Sequence, residues 1–74
     1  MLDVATVQRS LSIVSTMDDL QRYLDGLRAS GEWTIFPPFP TSLGWVMQLC
    51  HHLTGSTLNI WAHRVDGNTW RFTT

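Results

Sequence analysis

The sequence predicts an α+β domain in which helices pack on a short antiparallel sheet containing a C-terminal β-hairpin. Three observations carry this. Residues 57–74 hold two β-branched and aromatic runs around Asp66-Gly67, the dipeptide best suited to the positive-φ pair of a tight I′ turn. Residues 17–29 place apolar side chains at helical spacing between a capping signal and a terminating glycine. The chain has 74 residues and 43% hydrophobic content, enough for one domain over 1–74, near the lower limit for unaided folding.

In chain order, Asp3 is placed to cap a helix whose stripe is Val4, Val7, Leu11 and Val14. A strand over Leu11 to Ser15 is the competing reading, because that segment alternates and ends in β-branched residues. The helix is preferred. Ser15-Thr16 restarts the chain as a cap with Asp18 or Asp19 three residues on. The stripe Met17, Leu20, Leu24 and Leu27 follows, with Tyr23 at its edge and Gly31 as the stop. Gly26, inside this helix, suggests close approach of another backbone.

Residues 32–36 read as a short strand, expected to add to the hairpin as a third strand. Pro37-Pro38-Phe39-Pro40 breaks it, since three prolines in four residues are unsuited to a ladder and favour a stiff extended connection. Thr41 or Ser42 is then expected to begin a second long helix ending near Leu53 or Thr54, before Gly55. On it Leu43, Val46, Met47, Cys50 and Leu53 share one side, and Trp45 and Leu49 widen the apolar arc to about half the circumference, more than a surface helix usually shows. Gly44, Gln48, His51 and His52 remain for solvent.

For the hairpin, a two-residue Asp66-Gly67 loop sets His63 opposite Trp70 and Trp61 opposite Phe72. Trp61, His63, Val65, Trp70 and Phe72 then share the core face, while Ile60, Ala62, Arg64, Thr69, Arg71 and Thr73 share the other.

Composition excludes more than it selects. Five arginines, no lysine and six acids leave the net charge at −1, so neither a basic nucleic-acid surface nor an acidic tail is present. A single cysteine, Cys50, permits no intramolecular disulfide. No apolar run has the length of a membrane span and the start lacks the pattern of a signal peptide, so the cytoplasm is the expected location and no membrane partner is expected. On the expected helix Cys50, His51 and His52 point about 100° apart and cannot converge on one ion. A Cys50–His63 nucleophile pair would need an electropositive, partly exposed thiol, and Cys50 lies among apolar neighbours with both imidazoles outside. Neither a metal, a cofactor nor a catalytic constellation is expected, so the chain is read as not an enzyme.

Four tryptophans and three phenylalanines in so short a chain exceed what its interior is expected to hide, and Trp is enriched at binding hot spots. The expected function is therefore a non-catalytic protein–protein interaction module, a small regulator or inhibitor of the type carried by phages and mobile elements. It would dock on another protein or on its own copy through Trp33, Phe39, Trp45, Leu49 and His52, with Arg64 and Arg71 at the hairpin. At least one of Trp33, Trp45 and Phe39 is expected to reach solvent. The alternative is a nucleic-acid binder: the expected order helix, helix, helix, hairpin resembles a small winged-helix domain, with Arg64, Arg71 and the turn as the wing. Against it, the helix that would enter the major groove carries no Arg or Lys to anchor phosphate.

Overall fold

In a computed structural model, which describes residues 2–74, the Asp3 carboxylate accepts the Thr6 N–H at 2.8 Å. The cap starts helix α1, Val4–Ser12, as the stripe predicts. Val7 and Leu11 are buried, with Val4 and Val14 packed beside them. The Asp3 carboxyl is held below its ordinary value of 3.8 by hydrogen bonds from Thr6. Thr16 caps helix α2, Met17–Ser30, by accepting the Asp19 N–H. Gly31 ends it in the left-handed region at φ 75°, a conformation cheap only for glycine. Leu20, Leu24 and Leu27 are buried along one side of α2. No backbone approaches Gly26: a Cβ there would meet nothing within 4 Å, so that glycine marks no packing contact.

Five strands follow: β1 (Trp33–Ile35), β2 (Phe39–Thr41), β3 (Gly44–His51), β4 (Thr57–Asp66) and β5 (Thr69–Thr73). The sheet is antiparallel throughout, ordered β1-β3-β4-β5 with β2 also on β3. The strand at 33–35 therefore reaches the hairpin only through β3.

β1 and β2 act as one kinked edge. β1 pairs Ile35 with Leu49 and β2 pairs Phe39 with Val46, leaving three residues on the edge facing two on β3, a bulge. Phe36 N–H still reaches the Gln48 carbonyl at 2.9 Å. Pro40 sits within the ladder, opposite Trp45, contrary to the expectation for that segment. An edge strand tolerates it because one side of its backbone needs no ladder partner.

The helix expected from residue 41 to about 54 does not form; most of that stretch is β3, the central strand. Alternation sends Trp45, Met47, Leu49 and His51 towards the helices and Val46, Gln48 and Cys50 away, as their ladder partners require. Both sides of β3 are largely apolar because both are partly covered. Val46, on the side away from the helices, is buried between its ladder partners Phe39 and Trp61. A run that is apolar all round fits either element, and Gly44 at φ 118° gives the turn before it a geometry that no helix start would use.

The hairpin forms with a different register. Gly67 and Asn68 make the turn, Asp66 faces Thr69, and an irregularity between Arg64 and Asp66 leaves Val65 extra. Neither turn residue has positive φ, so this is not the I′ turn. The Arg64 guanidinium closes it instead, Nε and Nη2 donating to the Gly67 carbonyl at 3.1 and 2.9 Å. Beyond the irregularity Arg64 faces Trp70 and Ala62 faces Phe72. That one-residue slip turns β4 over: Leu58, Ile60 and Ala62 lie against the helices, and Trp61 and His63 do not. Trp70 and Phe72 keep the expected face.

The core is one cluster of Val7, Leu11, Leu20, Leu24, Leu27, Trp33, Leu49, Leu58, Ile60 and Phe72. Each buried aliphatic or aromatic side chain contributes about 1.5–3 kcal/mol of transfer free energy. The accessible surface, 4758 Å², is close to the ~4,600 Å² usual for a folded monomer of this mass. The helices and the sheet thus form two packed layers around that cluster.

Candidate interaction surface

β3 begins where β4 ends, so the β2–β3 turn and the β4–β5 turn lie at one end of the sheet. The α1–α2 connection joins them there: the Trp70 N–H donates to the Ser15 carbonyl at 2.7 Å, and Thr16 and Met17 line a recess with Gly67 and Asn68. Exposed apolar side chains gather at this end. Ile13 and Met17 come from the α1–α2 connection and the start of α2, Leu43 (79% exposed) and Trp45 (53%) from the β2–β3 turn, and Val65 from the irregularity in β4. Residues 33–50 carry no Asp, Glu, Lys or Arg, so the β2–β3 side of this end is uncharged.

Behind Trp45 a half-open apolar cavity of about 280 Å³ separates α2 from the sheet. Met17, Leu20 and Leu24 wall it on the helix side, Met47, Ile60 and Ala62 on the sheet side, and Pro38 and Trp45 at the mouth. Gln21 is the one polar residue lining it. A more polar recess begins beyond Met17 and Trp70 and contains Asp18, Arg22 and Arg64.

The other end of the sheet is built from hydrogen bonds. The His51 N–H bonds the Ser56 carbonyl, the His52 N–H the Glu32 carbonyl, and the Gly55 N–H the His51 carbonyl, each at 2.8 Å. His52 uses both ring nitrogens, Nδ1 at 3.0 Å from the Gly31 carbonyl and Nε2 on the Thr34 hydroxyl. His51 is buried, with its ring stacked on Trp33 at 4.7 Å between centroids. Its Nδ1 lies 3.1 Å from the Thr54 hydroxyl, which donates to Ser56 Oγ. Its Nε2 has no hydrogen-bond partner and lies 3.8 Å from the Glu32 carboxylate. Glu32, His51 and Thr54 thus fall in the order acid, imidazole, hydroxyl. Thr54 is itself bonded to Ser56, however, and neither recess described above is lined by any of the three.

The seven residues expected to contact a partner do not form one patch. Trp33 (3% exposed) and Leu49 (0%) are core. Trp33 is fixed by its indole N–H on the Leu2 carbonyl at 2.7 Å, and Leu49 is sealed because β3 is central. Both expectations are corrected: neither reaches a partner in the folded chain. Phe39 and Trp45 are half-exposed, as expected of at least one of the three named aromatics, but on opposite faces of the sheet. His52 is tied into the hydrogen-bonded end, away from Trp45. The register slip separates Arg64, whose fork is used by its own turn, from Arg71, which lies opposite His63 on the other face. The winged-helix arrangement also fails, because the stretch that would supply its recognition helix is β3.

Cys50 and His51 depart from their expected places too. On a strand they point to opposite faces, so the thiol is half-buried on the open side while the imidazole is the buried group. Among the described residues no three His, Cys, Asp or Glu side chains come together as metal ligands would, and no helix is long and apolar enough to cross a membrane. Ile13, Met17, Leu43 and Val65 were absent from the sequence reading of the surface. Single apolar residues beside turns look ordinary one at a time, and only the topology brings them together. Comparisons with known protein families, with curated proteins and with solved structures find no match.

Proposed function

We propose that this chain is a non-catalytic protein-binding module, a small regulator or inhibitor, that docks through the apolar end of its sheet. The observation that supports this is the convergence of Ile13, Met17, Leu43, Trp45 and Val65 from three connections that are distant in sequence. Contiguous exposed apolar surface on a small domain marks interaction sites, and a half-exposed Trp beside a cavity has the character of a hot spot. The stiff Pro37-Pro38 segment reduces the ordering cost of binding by presenting the β2–β3 turn already formed.

The partner is a protein surface with an uncharged apolar centre, either another chain or a second copy. The test is light scattering of the purified chain, together with capture from lysate and measured rebinding of the recovered partner. Trp45→Ala and Leu43→Ser are each expected to weaken the association at least tenfold while thermal unfolding stays within a few degrees of wild type. A strict monomer that captures nothing, or an association indifferent to both changes, would sink the reading.

A further inference from the structure

Beyond protein docking, we infer that the cavity between α2 and the sheet is a binding site for a small uncharged apolar molecule of about two fused rings. Size comes first. A closed apolar cavity of about 150 Å³ stays dry and accepts benzene, and the space here is about 280 Å³, room for a second ring. Wall chemistry comes next. The walls are Leu, Ile, Met, Ala and aromatic side chains, with no charged residue, so a charged ligand would lose its hydration without gaining a partner. Water held against such walls has few hydrogen bonds to lose, and its displacement favours an apolar guest. The two methionines at the site, Met17 and Met47, are the side chains best able to adjust to a guest's shape and to contact an aromatic edge.

Access follows from the same geometry. Gln21 is an exposed helix residue at the margin, and Trp45 stands half-exposed at the mouth. Ala62, partly buried, is the smallest side chain of the lining and the point where added bulk would take up space.

The experiment titrates indole into the chain carrying ¹³C-methyl methionine and follows the Met17 and Met47 methyl signals by NMR. Saturable shifts at Met17 and Met47, the two methionines of the lining, are expected. Indole-3-acetate should bind several-fold more weakly, because no cation faces the cavity. Ala62→Leu adds bulk to the lining and is expected to weaken indole binding at least tenfold. Gln21→Trp, which covers the mouth from a solvent-facing position and leaves the core untouched, should do the same and stands in if Ala62→Leu fails to fold. Shifts linear in indole, tighter binding of the acetate, or saturation unchanged in the folded variants would each overturn the inference. A chain that binds indole but no protein overturns only the docking proposal, and the converse overturns only this one.

Discussion

The two ends of the sheet are finished by opposite means. At the His51 end, backbone and imidazole hydrogen bonds tie the α2–β1 junction, β3 and the 52–56 loop together, and Leu53 is the one strongly exposed apolar side chain. At the Trp45 end each turn is tied within itself, Thr41 to Gly44 and Leu43, and Arg64 to Gly67; one backbone bond joins Trp70 to Ser15, and five apolar side chains are left outside. The difference teaches where a small domain can hold a surplus of apolar surface. Polar ties need their donors and acceptors for each other, so that end is committed to structure. At the other end the polar ties stay within single turns, through Thr41 and Arg64, and the apolar side chains beside them take no part.

The sharpest way to break this comparison is to truncate one tryptophan at each end. Trp33→Ala is expected to cost about 3–5 kcal/mol in urea unfolding, because it empties a core site and removes the ring that His51 stacks on. His51→Ala should cost about 2 kcal/mol, combining lost volume with an unpartnered Thr54 network. Gly44→Ala is expected to cost about 1 kcal/mol or slightly more, since φ of 118° strains any L side chain; circular dichroism melts would show it. Trp45→Ala should change stability by less than about 0.5 kcal/mol, while abolishing association in light scattering or capture. If Trp45→Ala destabilised the fold as much as Trp33→Ala, the two ends would not differ in kind.

The smallest effect lies outside both ends. Asp3 has a lowered carboxyl value because its ionised form accepts the helix N–H. Its contribution is therefore complete above the ordinary value of 3.8 and is lost as pH falls through the lowered one. Asp3→Ala should reduce the melting temperature slightly at neutral pH and not at all in strong acid.

Local chemistry made the first half of the chain legible. Asp3, Thr16 and Gly31 are caps whose function needs only neighbouring residues, and the stripes on α1 and α2 keep the helical period because each helix buries one side. β3 was illegible for the converse reason. Trp45 to His51 is apolar on both sides of the strand, so the period of two that would have shown a strand is erased, and only burial by Phe39 and Trp61 explains Val46. The hairpin was half legible. Its strands are encoded by composition, but the turn chosen by Asp66-Gly67 in isolation loses to one closed by Arg64, and one slipped residue exchanges the faces of β4. The site suffered most. Tryptophan identity pointed at Trp33 and Trp45 alike, and only the fold separates a core ring from an exposed one.

The kinked β1–β2 edge has a consequence for solutions of this chain at high concentration. Pro37, Pro38 and Pro40 offer no N–H to an incoming strand, the bulge disturbs the pairing template, and on the far margin the Ser15 carbonyl already occupies the Trp70 amide. Edge-to-edge joining of sheets from neighbouring molecules is disfavoured along these stretches.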